Sequence, residues 1–286
     1  MSRSRDFRSG RTLAVLVVLT LSVALPAFAG TPRILLAGDS WAWFMFLNRS
    51  FETALAERGL DEVEVSAFYT TVPGSTARDW TSERHIAQVR KVLEDSPTID
   101  IVHLSLGGND FLNNWKPDMP LDERAKLFDQ VVADLEVVLQ GILDVRPDLR
   151  VVIVEYDYIN KAKRGGTLQD LNRAGQILAK MKLGLAQRMD RVEYIQTYGL
   201  MQYHFGVEGA LEPETVPLPG NAPDYQPWPG GNADYGNAPE SMMDTIHLSA
   251  EGYRYLAGYC IDTLYGKLLE EDRKLAAAAA SEVEEE

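Results

Sequence analysis

The sequence predicts an α/β domain in which five parallel strands lie between layers of helices. Three observations lead there. Five short apolar runs have the length of strands, the amphipathic segments between them are long enough for crossover helices, and turn-forming residues close most of the runs. Parallel neighbours need connections of a dozen residues or more, which this spacing supplies.

The elements follow in order. Residues 33–37 (RILLA) form a compact apolar run that stops at Gly38. Residues 41–58 have helical spacing and end at Gly59, a helix stop signal. Residues 63–69 (VEVSAFY) alternate like a strand, and 77–93 are helical and close near Pro97. Residues 99–106 (IDIVHLSL) read as a buried strand running into Gly107-Gly108. Residues 122–143 carry strong helical periodicity, with Pro147 just beyond. A strand at 151–156 (VVIVEY), a helix at 168–189 and a short strand at 192–195 come next. A final helix is expected from about Ser249 to Lys274, with Ser249 as its N-cap. The pattern suits a flavodoxin-like, three-layer α/β/α arrangement with a five-stranded parallel sheet. In such sheets ligands bind beyond the carboxyl ends of the strands, so functional residues are expected just after strands.

The ends of the chain differ from this domain, which is assigned to residues 30–274. Arg3, Arg5, Arg8 and Arg11 precede an apolar run at 13–25, then Pro26 and the triplet Ala27-Phe28-Ala29. A basic region, a short apolar core and a small-x-small site read as a secretory signal over residues 1–29, cleaved after Ala29. The run is short for a membrane span of about 20 residues. An exported, periplasmic or secreted protein without stable membrane insertion is expected. Residues 275–286 (LAAAAASEVEEE) form a low-complexity acidic tail. The whole chain carries a formal charge of −14, and loss of the four leader arginines with Asp6 takes it to −17. Such a surface repels phosphate backbones, so nucleic acid is excluded as a partner class. The single cysteine, Cys260, lies in an apolar helical stretch and permits no intramolecular disulfide. A buried, inert thiol is expected there.

Residues 206–241 break the rhythm. They are rich in Pro, Gly, Asn and Asp, with Tyr225, Trp228 and Tyr235 interspersed. A connection this long is either a functional loop or a solvated insertion, and the pattern leaves both open. Its aromatic faces, together with Trp41, are candidate substrate contacts.

Three small clusters carry candidate chemistry. Gly38-Asp39-Ser40 follows the first strand, where helix N-terminal N–H groups can receive an oxyanion. The same residues also make an ordinary helix cap. Gly107-Gly108-Asn109-Asp110 follows the third strand and offers a sharp turn with an amide donor, or simply a turn. Asp244-Thr245-Ile246-His247 precedes the last helix. A tight turn there can set the carboxylate beside one ring nitrogen and leave the other as a general base. Of the other histidines, His103 falls mid-strand as a core residue, His85 on a helical face and His204 near the irregular segment.

Taken together and in this order, the clusters resemble the SGNH subgroup of the GDSL esterase/lipase family. Residues 34–40 (ILLAGDS) are similar to its first block, Val72-Pro73-Gly74-Ser75 to its second, Gly107-Gly108-Asn109-Asp110 to its third, and residues 244–253 (DTIHLSAEGY) to its last. The resemblance covers Arg33 to about Leu264. Two departures stand out: Trp41-Ala42 after the GDS triplet, and the 206–241 insertion ahead of the last block.

The resemblance implies the SGNH-hydrolase fold and a serine ester hydrolase of the esterase, lipase or deacetylase type. It implies a triad of Ser40, His247 and Asp244, an oxyanion hole from Ser40, Gly74 and the Asn109 amide, and no metal or organic cofactor. Ser-Asp-His order also occurs in α/β-hydrolases, but their G-x-S-x-G elbow is absent around Ser40. The substrate class implied is an ester, small or polymer-borne, such as an acyl lipid or an acetylated sugar. Two alternatives remain at this level. One is an O-acyltransferase acting on cell-envelope or extracellular polysaccharide, and the other is a binding module that keeps the fold without catalysis.

Overall fold

The computed structural model describes residues 30–213, 230–271 and 274. Five parallel strands form one sheet: β1 (Thr31–Gly38), β2 (Val63–Ser66), β3 (Ile101–Ser105), β4 (Arg150–Val154) and β5 (Val192–Ile195). Their order is β2-β1-β3-β4-β5, so the α/β class and the sheet are as predicted.

The helices are α1 (Ser40–Leu47), α2 (Ser50–Ala56), α3 (Ala77–Trp80), α4 (Glu83–Asp95), α5 (Gly108–Asn114), α6 (Leu121–Leu143), α7 (Leu168–Arg188), α8 (Leu200–His204) and α9 (Ala250–Cys260). Alternation along the strands divides the core. Leu35, Val102, Leu104 and Ile153 pack with Val89 of α4, Leu139 of α6 and Leu178 of α7. Ile34, Leu36, Val152 and Val154 face the other way, onto Trp41 of α1, Phe51 of α2 and Leu256 of α9. Each fully buried Leu or Ile contributes roughly 1.5–3 kcal/mol, so both helical layers are fixed by the pleat of one sheet.

The chain leaves β1 for β2 at one edge and returns to β3 on the other side of β1. Gly38 at the end of β1 is paired with Ser105 at the end of β3. A crevice opens at such a switch point, beyond the strand ends.

Several boundaries differ from the sequence reading. The helix expected at 41–58 is two helices, because Arg49 adopts the left-handed conformation (φ 51°) between α1 and α2. Both bury against the same sheet face, so the apolar periodicity runs through the break unaltered. The helix expected at 77–93 also divides. The Thr81 and Ser82 hydroxyls turn back onto the carbonyls of Arg78 and Asp79, closing α3 before α4 begins. Strand β2 stops at Ser66, and Phe68 and Tyr69 are exposed in the turn that follows. The last helix holds a π-helical turn at Ile261–Tyr265. Ser249 caps it as expected, accepting the Gly252 N–H at 3.2 Å.

Candidate active site

The first cluster forms where β1 ends. Gly38 has φ 128°, and a Cβ there would lie 1.9 Å from the Ser105 carbonyl oxygen, so only glycine lets the two strands end side by side. Asp39 is the N-cap of α1, and its Oδ1 accepts the Trp41 N–H at 3.0 Å. Ser40 is therefore the first residue of the helix, where backbone N–H groups lack intrahelical partners. Asp39 caps the helix, as one reading of Gly38-Asp39-Ser40 expects, and Ser40 lines the crevice.

The last cluster reaches Ser40 from a tight turn. Met242 and Leu248 form an antiparallel bridge across it. Asp244 Oδ1 accepts the N–H groups of Ile246 and His247, both at 2.7 Å. That leaves Oδ2 for His247 Nδ1 at 2.8 Å, while His247 Nε2 lies 2.9 Å from Ser40 Oγ. Phe44 of α1 flanks the imidazole at 4.8 Å between ring centroids. Partial burial of the Asp244 carboxyl works to raise its pKa, but the bonds from the His247 side chain and the two backbone N–H groups outweigh it and hold the group below its ordinary value.

Asn109 and Gly74 enter from two loops. Asn109 follows Gly107, which opens α5 in the left-handed conformation. Its side-chain nitrogen donates to the Ser75 carbonyl at 2.9 Å and lies 3.4 Å from Asp39 Oδ2. The Gly74 turn (φ 79°) is thereby tied to Asn109 through its neighbour. Asp110, buried beside it, accepts the N–H groups of Ala77 and Arg78 at the start of α3. Residues 107–110 therefore anchor Ser75 through Asn109 and the start of α3 through Asp110.

Sequence reading missed the group behind the serine. Tyr156, just after β4, donates its hydroxyl to Asp39 Oδ2 at 2.6 Å and accepts the Gly108 N–H at 3.2 Å. A Cβ on Gly108 would meet the Tyr156 ring at 2.7 Å, which accounts for that glycine. Lys182 of α7 lies 4.8 Å from the centre of the Tyr156 ring and forms a buried ion pair with Glu155 at 2.9 Å. Burial drives the Asp39 carboxyl up to about 6, against the pull of the Tyr156 hydroxyl, the Trp41 N–H and the charges of Lys182 and His247. The available signal was Lys182 itself, a cation in line with Leu171, Leu178 and Leu185 on the apolar stripe of α7.

A narrow cleft opens at Ser40 and Asn109, walled by Phe111, Leu112, Ile159, Leu171 and Ile246. Trp41 belongs to its back wall. It is 3% exposed and packs edge-on against Tyr156 and Tyr253. Tyr225 and Trp228 lie outside the described residues. The segment that holds them is closed by a bridge between Leu211 and Gly231. Its return is gripped by the buried Gln202, whose amide donates to the carbonyls of Asn232, Tyr235 and Gly236 and accepts the Asn232 N–H. His103 is a core residue bonded to Tyr265 and Ser105, and burial lowers its pKa to about 3. His85 stacks on Trp80 and His204 on Tyr255, so neither belongs to the crevice. Cys260 is buried, which pushes its thiol pKa up.

Comparison with known proteins identifies the family of the chain. No curated protein matches the chain. Among solved structures, a lipase from a goat rumen metagenome superposes with a TM-score of 0.53 at 13% identity, over 82% of this chain and 98% of that one. A carbohydrate esterase family 3 protein from Talaromyces cellulolyticus gives 0.50 at 13% identity, over 85% and 99%. At these identities the likeness is one of fold. The GDSL-like lipase/acylhydrolase family matches residues 36–255, from the middle of β1 into α9. The chain belongs to the GDSL-like lipase/acylhydrolase family and is an ester-bond hydrolase.

Proposed function

We propose that this protein is an exported serine hydrolase that cleaves carboxylic esters through Ser40, His247 and Asp244. The observation that carries the reading is the continuous hydrogen-bonded chain from Asp244 Oδ2 through the imidazole to Ser40 Oγ, at 2.8 and 2.9 Å.

His247 Nε2 takes the Ser40 proton as the oxygen attacks the ester carbonyl, and Asp244 holds the ring and stabilises its charged form. The oxyanion is received by the Ser40 and Gly74 N–H groups and by the Asn109 amide. Gly74 N–H supports this role, having no partner among the described residues. The long Asn109 contact to Asp39, at 3.4 Å, is the one an oxyanion replaces, while the bond to Ser75 keeps the amide oriented. His247 returns the proton to the departing alcohol. Water, deprotonated by the same nitrogen, then releases the acid.

The apolar cleft wall favours an acyl group, borne on a lipid or on a sugar. A panel of 4-nitrophenyl esters from acetate to long chains, with acetylated sugars, measures this. Ser40→Ala abolishes turnover of every member, and a fluorophosphonate labels Ser40 in the native protein only. Hydrolysis that survives in Ser40→Ala overturns the nucleophile assignment. Export rests on residues 1–29, outside the described residues. Mature protein beginning at Gly30 supports it, and mature protein that retains residues 13–25 overturns it.

A further inference from the structure

Beside the Ser40 cleft lies a second recess of about 140 Å³. The two share four wall residues: Asn109, Leu112, Ile159 and Ile246. The shared wall thus includes the amide assigned to the oxyanion and the neighbour of His247. The wall that belongs to the second recess alone carries Lys161 and Lys163.

These cations come from the segment after β4, where the sequence reads Lys161-Ala162-Lys163-Arg164. The Lys163 ammonium donates to the Leu112 carbonyl, which docks the segment against α5. Burial, and then the charge of Lys161, lowers the Lys163 pKa, so the two ammonium groups feel one another. None of Lys161, Lys163 and Arg164 forms an ion pair with a described carboxylate. Of the carboxylates at the reaction centre, Asp244 is taken up by His247 and two backbone N–H groups, Asp39 is buried behind the serine, and Asp157 is buried and accepts three backbone N–H groups.

A chain of formal charge −14 repels anions over most of its surface. A local positive field beside the reaction centre steers an anionic ligand inward. We propose that the preferred substrates are esters bearing a negatively charged carboxylate or phosphate group, held by Lys161 and Lys163, with Arg164 next to them in the chain adding to the positive field, while the scissile carbonyl sits at Ser40. The inference rests on the serine-hydrolase reading above.

Matched ester pairs test it. 4-Nitrophenyl hydrogen succinate against 4-nitrophenyl butyrate puts a carboxylate on the acyl side. An O-acetylated uronic acid against an O-acetylated neutral hexose puts one on the alcohol side. Acetylated glycerol 3-phosphate against acetylated glycerol supplies the phosphate. The readout is the ratio of kcat/KM, anionic over neutral, for wild type and for Lys161→Glu/Arg164→Glu, which leaves the Lys163 contact in place. In at least one pair wild type favours the anionic ester. The double reversal lowers that ratio about tenfold at low salt, and the advantage shrinks toward ~0.15 M, where the Debye length is about 8 Å. Neutral esters equal or preferred in all three pairs overturn the inference, as does a ratio that the double reversal leaves unmoved. Absence of turnover with every ester, together with an unlabelled Ser40, overturns the serine-hydrolase reading itself and this inference with it.

Discussion

Two aspartates flank the same serine and meet opposite surroundings. Asp39 precedes Ser40 in the chain, is 2% exposed, and is pushed up to about 6 by burial. Asp244 is 204 positions away in sequence, has 49% of its side chain in solvent, and is held below its ordinary pKa by hydrogen bonds. Proximity in sequence therefore says little about chemical role. The carboxylate held below its ordinary pKa is the one bonded to the imidazole with water at its back, and that suits the partner of an imidazole. The buried one acts as a post, tying the Trp41 N–H, the Tyr156 hydroxyl and the Asn109 amide to the strand end.

The largest effect expected separates these roles. Asp244→Asn removes the acceptor that fixes the His247 tautomer, and kcat should fall by about 10⁴. Asp39→Asn can keep the oxygen that accepts the Trp41 N–H but puts an amide nitrogen where Oδ2 accepts the Tyr156 hydroxyl, and the lost hydrogen bond should cost about tenfold or less. Equal losses in the two variants, measured on one activated ester, would end the distinction. Lys182→Met strands Glu155 in the core and should cost about 3–5 kcal/mol of stability, read from denaturant midpoints. Little change there would mean that the ion pair is not what secures the floor under Tyr156. Asn109→Ala should lower kcat by about 10²–10³ at unchanged fold. Activity near wild type would remove Asn109 from the oxyanion hole.

The smallest effect is a pH dependence. The folded protein holds the Asp39 proton up to about pH 6, whereas an unfolded aspartate releases it near 3.9. This stabilising contribution is full below about pH 4 and is lost as pH rises through 6. Asp157, buried and pushed up to about 7 while it accepts the N–H groups of Tyr158, Gly199 and Met201, behaves alike over a wider window. Asp244 acts in the opposite sense, adding stability above pH 4 that disappears in acid. Between pH 4 and 6 the Tm of Asp39→Asn should fall less than that of wild type. Parallel curves would place the Asp39 titration outside this window.

Much of the site was legible because its parts obey local rules. Gly38, Gly107 and Ser249 mark a strand end, a turn and a helix start, and the chemistry is attached to those marks. The parallel sheet was legible for the same reason, since buried runs and crossover lengths are local properties. What hid was tertiary. Tyr156 read as the last residue of a strand, and nothing in VVIVEY says that its hydroxyl meets Asp39 across two strand ends. Lys182 was one cation among many until α7 was docked and its stripe had to face Glu155. The breaks at Arg49 and at Thr81-Ser82 hid because both halves of each pair pack on common ground, where periodicity carries no mark of a restart.

The bridge between Leu211 and Gly231 has a consequence for tolerance to change. Leu211 and Gly231 lie side by side, held by the Gly231 N–H to Leu211 carbonyl bond at 2.6 Å, with Gln202 securing Asn232 just after. Closing a loop costs entropy that grows only with the logarithm of its length, about 0.6 kcal/mol for each doubling. Chain inserted between those two residues therefore draws little on the stability of the domain. This position is a natural port for grafting a reporter or a second binding module onto an otherwise unaltered hydrolase.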